Sequence, residues 1–237
     1  MKKFIVLIIL CIGFQPVQAQ LFTHEHVKNL ENFDQKRWSW GYFLGLNTYD
    51  FDIDYKNAGK KDIIVNKRIG FNVGLLGNLR VNDYIDIRLE PGVTFASRQL
   101  VFPVGPNATE EFKNDHIRDV KSTYVHIPLL IKFSTKRINN FKPFVMAGVS
   151  ASWNLSSNED NPEGNLGGNF RMKTMTYYYE IGFGIDFYLF FFKFTPSIRA
   201  VFAMSDELVP DNVPDSPYTS NISSLKTQGI FINLKFQ

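Results

Sequence analysis

Ser122, His116 and the acids Asp115 and Asp119 lie close together in the sequence, and they are the first residues whose types could do chemistry. A lipid-acting hydrolase uses such a set: the imidazole takes the hydroxyl proton and an acid orients the imidazole. Proximity along a loop supplies neither contact, so no catalytic residue is expected from it. His24-Glu25-His26 offers two imidazoles and a carboxylate, a combination zinc can use, but no third ligand stands nearby and exposed residues are the simpler reading. Asp206, Glu207, Asp211 and Asp215 could ligate calcium through clustered oxygens. Their spacing is irregular and Pro210, Pro214 and Pro217 interrupt it, which reads as a solvated loop. Gly164, Gly167 and Gly168 are not followed by the strand, turn and helix of a phosphate cradle. The expectation is therefore no catalytic centre, no metal, no cofactor and no small-molecule substrate.

A second set of ionisable residues is more regular. Arg88, Glu90, His126, Lys132, Glu180, Asp186 and Arg199 each fall on the polar side of a segment that alternates with period two. In residues 177–188, Tyr177, Tyr179, Ile181, Phe183, Ile185 and Phe187 alternate with Tyr178, Glu180, Gly182, Gly184, Asp186 and Tyr188. Ile85, Ile87, Leu89, Val93 and Phe95 alternate in the same way with Asp86, Arg88, Glu90, Gly92, Thr94 and Arg98. Val125, Ile127, Leu129, Ile131 and Phe133 alternate with Tyr124, His126, Lys132 and Ser134. Such a pattern is a strand with two unlike faces. The charges on the polar faces are expected to pair across a shared interior, because an unpaired buried ion costs several kcal/mol.

Five further segments, residues 40–51, 69–80, 144–154, 192–203 and 229–237, carry the same alternation, giving eight strands in all. Each is near the ~9 to 11 residues that a tilted strand needs to cross a bilayer. Pro128 and Pro196 interrupt two of them, which ordinarily marks an edge or a bulge. Gly41, Gly45, Gly70, Gly74, Gly92, Gly148, Gly182 and Gly184 all lie on the face opposite the large apolar side chains, where a narrow lumen needs room. Connections alternate in length: residues 52–67, 99–120, 155–174 and 204–228 are long and polar, whereas residues 81–83, 135–140 and a bend near Phe190 are short. An even strand count, unequal loops and both chain ends on the short-loop side predict an all-β, eight-stranded antiparallel transmembrane β-barrel with a filled polar lumen. A soluble barrel would place the bulky apolar set inside and the charges outside.

Composition agrees once this pattern is known. Aromatic residues make up 15% of the 237 residues while mean hydropathy is only −0.14. Alternation accounts for both, with the aromatic wall facing lipid and polar lumen and loops lowering the mean. The apolar run at residues 4–14 is too short for a spanning helix. Lys2 and Lys3, that run, and Gln15-Pro16-Val17-Gln18-Ala19 have the order of a secretory signal peptide at residues 1–19. Leu10 before Cys11 argues against lipidation there, and one cysteine excludes a disulfide scaffold. Without residues 1–19 the chain has 24 basic against 23 acidic residues, a net charge of +1 that argues against nucleic-acid binding. Residues 20–38 are expected to form a periplasmic N-terminal segment and residues 39–237 the barrel, with both termini periplasmic.

Several stretches resemble known proteins. Leu89-Glu90-Pro91-Gly92-Val93-Thr94-Phe95, the run from Tyr124 through His126 and Pro128 to Phe133, Lys142-Pro143-Phe144 leading to Gly148, and Tyr179-Glu180-Ile181-Gly182-Phe183-Gly184-Ile185-Asp186 resemble the outer-membrane β-barrel domain of Bacteroidota. Asn29-Leu30-Glu31-Asn32-Phe33-Asp34-Gln35-Lys36-Arg37, with Trp40-Gly41-Tyr42-Phe43-Leu44-Gly45-Leu46-Asn47 and Asp50-Phe51, is similar to the start of the PorT/SprT proteins of the type IX secretion system. That resemblance implies a non-enzymatic outer-membrane component needed for cargo export and, where it occurs, gliding motility. The implied partners are outer-membrane lipid and other secretion-system proteins, and no catalytic or ligand residue is carried over. Leu30, Phe33 and Trp38 are the expected partner contact, while a lipid-modifying enzyme and a surface binding or adhesion barrel are the alternatives.

Overall fold

A computed structural model describes residues 27–57, 63–104, 116–161, 170–211 and 216–237. The expected signal peptide and His24-Glu25-His26 lie outside these residues. A short 3-10 turn, Phe33–Gln35, precedes ten strands: β1 Trp38–Tyr55, β2 Ile64–Lys67, β3 Ile69–Arg80, β4 Ile85–Leu89, β5 Gly92–Val101, β6 Ile117–Ser134, β7 Phe141–Asn154, β8 Met175–Tyr188, β9 Lys193–Ala203 and β10 Ile222–Phe236. All pair antiparallel with their neighbours, and β1 pairs with both β3 and β10, so the sheet closes on itself.

The ten strands make eight staves, because β2 continues into β3 and β4 into β5. Between β4 and β5 the break coincides with Pro91 and, on the adjoining β6, Pro128, neither of which has an N–H to give the ladder. Leu89↔Leu129 and Gly92↔His126 belong to one alignment, so register survives the break. Pro196 likewise leaves a local gap in the β8–β9 ladder between Gly184↔Ser197 and Phe187↔Phe194 without a slip. Between β2 and β3 the pairing with β5 shifts by one residue across Arg68, turning Val65 inward where Asn72 and Leu76 also point.

The outer wall is apolar and the inside is polar. Leu75, Leu129, Val145, Ile181 and Phe183 are exposed, whereas Arg88, Glu90, Thr195, Thr227, Asn233 and Lys235 are wholly enclosed. All eight glycines named from the sequence face inward. At Gly74 and Gly92, which pair across β3 and β5, an added Cβ would come within 2.6 Å and 2.8 Å of the Phe43 ring, so the two glycines make the space that ring fills. Trp38 and Trp40 stack on the outside near the chain ends. Tyr42, Phe192, Phe194 and Phe236 continue that aromatic belt.

Two expectations need correction. β6 begins at Ile117 and β10 at Ile222, inside stretches read from the sequence as loops 99–120 and 204–228. Strands of 18 residues in β1 and β6 run well past what a bilayer requires, so the barrel projects beyond its membrane band. The long connections are also less polar than expected. Phe170, Met172, Leu208 and Tyr218 fold over the barrel and join Phe51, Leu100, Phe102, Val120, Ile222 and Leu225 in an apolar cluster.

Candidate functional site

The interior is layered from the long-loop end to the short-turn end. Below the apolar cluster lies an aromatic layer in which Arg98, fully enclosed, sits 3.7 Å from the Phe51 ring centroid and donates to the Tyr124 hydroxyl (2.8 Å) and Thr227 Oγ1 (3.2 Å). Glu207, reaching in from the loop between β9 and β10, accepts from the Tyr178 hydroxyl (3.1 Å) and from Thr227 Oγ1 (2.8 Å). Burial pushes the Glu207 carboxyl above its ordinary pKa, with Arg98 opposing.

The middle of the lumen holds two sets of ion pairs. Glu90 accepts from Lys235 Nζ at 2.5 Å and Arg199 Nη1 at 3.0 Å, with Arg88 Nη1 at 3.7 Å. Arg199 then reaches Glu180 through Nε at 2.9 Å, and Glu180 also meets His126 Nε2 at 2.9 Å. The other ring nitrogen of His126 lies 2.5 Å from Ser152 Oγ. Further toward the short turns Asp186 bonds Lys132 and accepts from Thr195 Oγ1 at 2.7 Å, while Asp86 lies 3.5 Å from Lys132. Aromatic faces line the cations: Arg199 lies 5.4 Å from the Phe231 centroid, and Lys132 4.5 Å from that of Phe144. Removing either member of such a pair would leave a charge in a low-dielectric interior, which is why pairing is dense here.

The N-terminal segment closes the short-turn mouth. Asn29 donates through its backbone N–H to Asn140 Oδ1 (2.9 Å) and through Nδ2 to the Tyr188 carbonyl (3.1 Å). Arg137 donates to the carbonyl oxygens of Asn29 and Leu30, and its guanidinium stacks 3.8 Å from the Tyr188 centroid. Tyr188 in turn donates to Asp34 Oδ1 at 2.6 Å. Phe33 lies edge-on to Tyr188, with the Lys193 ammonium 4.5 Å from its ring. A positive φ of 51° at Leu30 makes the bend that lays this segment across the opening.

The outer membrane protein beta-barrel domain family model matches residues 18–209. The chain belongs to this outer-membrane β-barrel family. No curated protein matches it. Among solved structures, OprG from Pseudomonas aeruginosa is similar at 14% identity with a TM-score of 0.46, covering 83% of this chain and 94% of that one. Neisserial surface protein A is similar at 9% identity and TM-score 0.44, covering 84% and 98%. AlkL, solved in lipid bilayers, is similar at 11% identity and TM-score 0.41, covering 90% and 92%.

Within this outer-membrane barrel the residues singled out from the sequence have distinct fates. Arg88, Glu90, His126, Lys132, Glu180, Asp186 and Arg199 are all buried in the lumen, with Arg88, Glu90, His126, Glu180 and Arg199 in one set of ion pairs and Lys132 with Asp186 in another. Arg98 and Lys193, which the alternation also puts on the polar face, belong to the same interior, and so does Lys235, whose inward parity on β10 was equally readable. Ser122 lies in β6, not a loop, and points inward. Asp119 stands on the opposite face, held by Gln99 Nε2 at 3.0 Å and near Arg68 at 3.3 Å, so these two cannot share a histidine. His116 precedes β6, and Asp115 lies outside the described residues. The acidic loop is not one cluster either. Asp206 Oδ1 accepts from the N–H groups of Leu208 and Leu225 at 3.0 and 2.8 Å, and Asp211 accepts from Ser216 and Thr219. Asp215 is outside the described residues, and among those described no three His, Cys, Asp or Glu side chains are grouped for a metal. Of the expected partner contact, Leu30 and Phe33 lie across the mouth, and Trp38 is on the outer wall, 55% exposed.

Proposed function

We propose that this outer-membrane barrel is a non-enzymatic component of the type IX secretion machinery, a scaffold or accessory factor with both chain ends in the periplasm. The resemblance of residues 29–51 to the PorT/SprT proteins supports the pathway. The observation that carries the non-conducting part of the reading is the interior itself: paired charges fill the middle, an apolar cluster covers one end and the N-terminal segment covers the other. A barrel filled in this way works through its outside. At the short-turn end it presents Trp38 and the tip residues Phe190 and Phe191, which are 78% and 93% exposed. Apolar side chains concentrated near the chain ends suit a protein contact at the inner membrane surface.

Two variants test the contact. One replaces Leu30, Phe33 and Trp38 with Ala, and the other replaces Phe190 and Phe191 with Ser. Affinity capture from strains carrying each should lose secretion components, and cargo should be retained in the cell. Intact capture and intact export in both variants would remove the proposed contact.

A further inference from the structure

We propose that the short-turn mouth is a binding site for a small free oxyanion, of the phosphate or carboxylate class, held by Lys142 and Lys193 beneath Phe33. The site is independent of the secretion reading. A small recess open to solvent is lined by Phe33, Tyr188 and a set of charges in which cations predominate. Lys36, Arg80, Lys132, Lys142 and Lys193 face Asp34, Asp86 and Asp186.

The carboxylates present are already engaged. Lys132 takes both Asp186 and Asp86, and Asp34 is held by the Tyr188 hydroxyl and lies 3.7 Å from Arg137. Lys193 only shares Asp186 with Lys132, at long range, and Lys142 has no acid of its own. Lys193 is 3% exposed with its nearest carboxylate oxygen 3.8 Å away. Lys142 is 8% exposed and donates to the Asp83 carbonyl oxygen at 3.2 Å, with no carboxylate within ion-pair distance among the described residues. Elsewhere in the lumen the acids are met at short range, as at Glu90 and Glu180. Two enclosed ammonium groups, one sharing a carboxylate at 3.8 Å and one with none, are under-compensated, and a small oxyanion supplies acceptors for such groups through charge-assisted hydrogen bonds.

The cover is suited to admit such a guest. Phe33 offers Lys193 only a ring face at 4.5 Å, a weaker partner than an anion. Its segment is held by the side chains of Asn140, Arg137 and Tyr188, outside the barrel's ladder, so it can lift without unpairing a strand. The ligand is small because the recess ends on the Lys132–Asp186 pair.

The test is isothermal titration of inorganic phosphate into the full mature chain, in a zwitterionic phosphate-free detergent at neutral pH and low salt. Wild type should show saturable binding at one site. Lys142→Met and Lys193→Met should each weaken it at least about tenfold, the effect of losing a charge-assisted hydrogen bond. Lys142→Arg should retain it, and Lys121→Met, on the exposed face of β6, should leave it unchanged. Phe33→Ala should speed ligand exchange seen by phosphorus NMR. Each variant's folding is checked by heat-dependent gel migration, and Lys142→Arg keeps the test decisive if the Met variants fail to fold. No saturable uptake by wild type, or equal weakening by Lys121→Met, would overturn the site.

Discussion

Replacing Glu90 with Gln keeps the side chain's shape and removes the charge on which three cations converge. Lys235 Nζ lies 2.5 Å from it, Arg199 Nη1 3.0 Å and Arg88 Nη1 3.7 Å. Arg199 keeps Glu180, but Lys235 has no other carboxylate within 4.0 Å among the described residues. Breaking an enclosed ion pair by removing one partner costs about 3 to 5 kcal/mol, which lowers the folding constant by roughly two to three and a half orders of magnitude. Denaturant unfolding in lipid vesicles, followed by tryptophan fluorescence, measures this. Adding Lys235→Met to Glu90→Gln removes the stranded ammonium, so the double variant should recover more than about 1 kcal/mol, a coupling that a double-mutant cycle isolates. A loss below about 1 kcal/mol for Glu90→Gln, or no recovery in the double variant, would refute the view that lumen charges are mutually balanced.

Three other outcomes follow from the same geometry. Gly74→Val should overpack the lumen against the Pro91 carbonyl, the Gly92 backbone and the Phe43 ring and cost about 1 to 3 kcal/mol, read from the temperature at which gel migration changes. Glu207, whose folded pKa is raised by burial, binds more protons folded than unfolded. Stability from this group is therefore fully present below the ordinary glutamate pKa and declines as pH rises through the raised one; the protection factor of the Thr227 amide, which donates to Glu207 Oε1, taken against its intrinsic exchange rate, should fall over that window, and the fall should be lost in Glu207→Gln. In planar bilayers the purified barrel should show no stepwise conductance, and stable openings would contradict the filled lumen.

The membrane band of the fold was legible because lipid on one side and a polar lumen on the other force strict alternation, as in residues 177–188. Where strands rise above that band the outer face meets water, and the signal fades. Ile117-Arg118-Asp119-Val120-Lys121 has charges on both faces, so it read as loop although it pairs with β5 throughout. The apolar cap was hidden for a different reason: Phe170, Met172, Leu208 and Tyr218 are isolated among polar residues, and only the folded loops bring them together. Face parity could place Glu90 and Lys235 in the lumen, but not join them. Their contact spans 145 positions and depends on strand stagger across the barrel, which no local pattern encodes. The mouth was legible only in part: the sequence points to Phe33 as a contact residue, but its packing against Tyr188 and Lys193 joins positions far apart in the chain, which no local pattern encodes.

The most direct test of the proposed role is a strain lacking this protein, fractionated and probed for a cargo bearing a type IX sorting signal. Retention of that cargo in the periplasm, relieved by the wild-type gene, is the predicted result. Normal release of cargo to the medium would contradict the assignment.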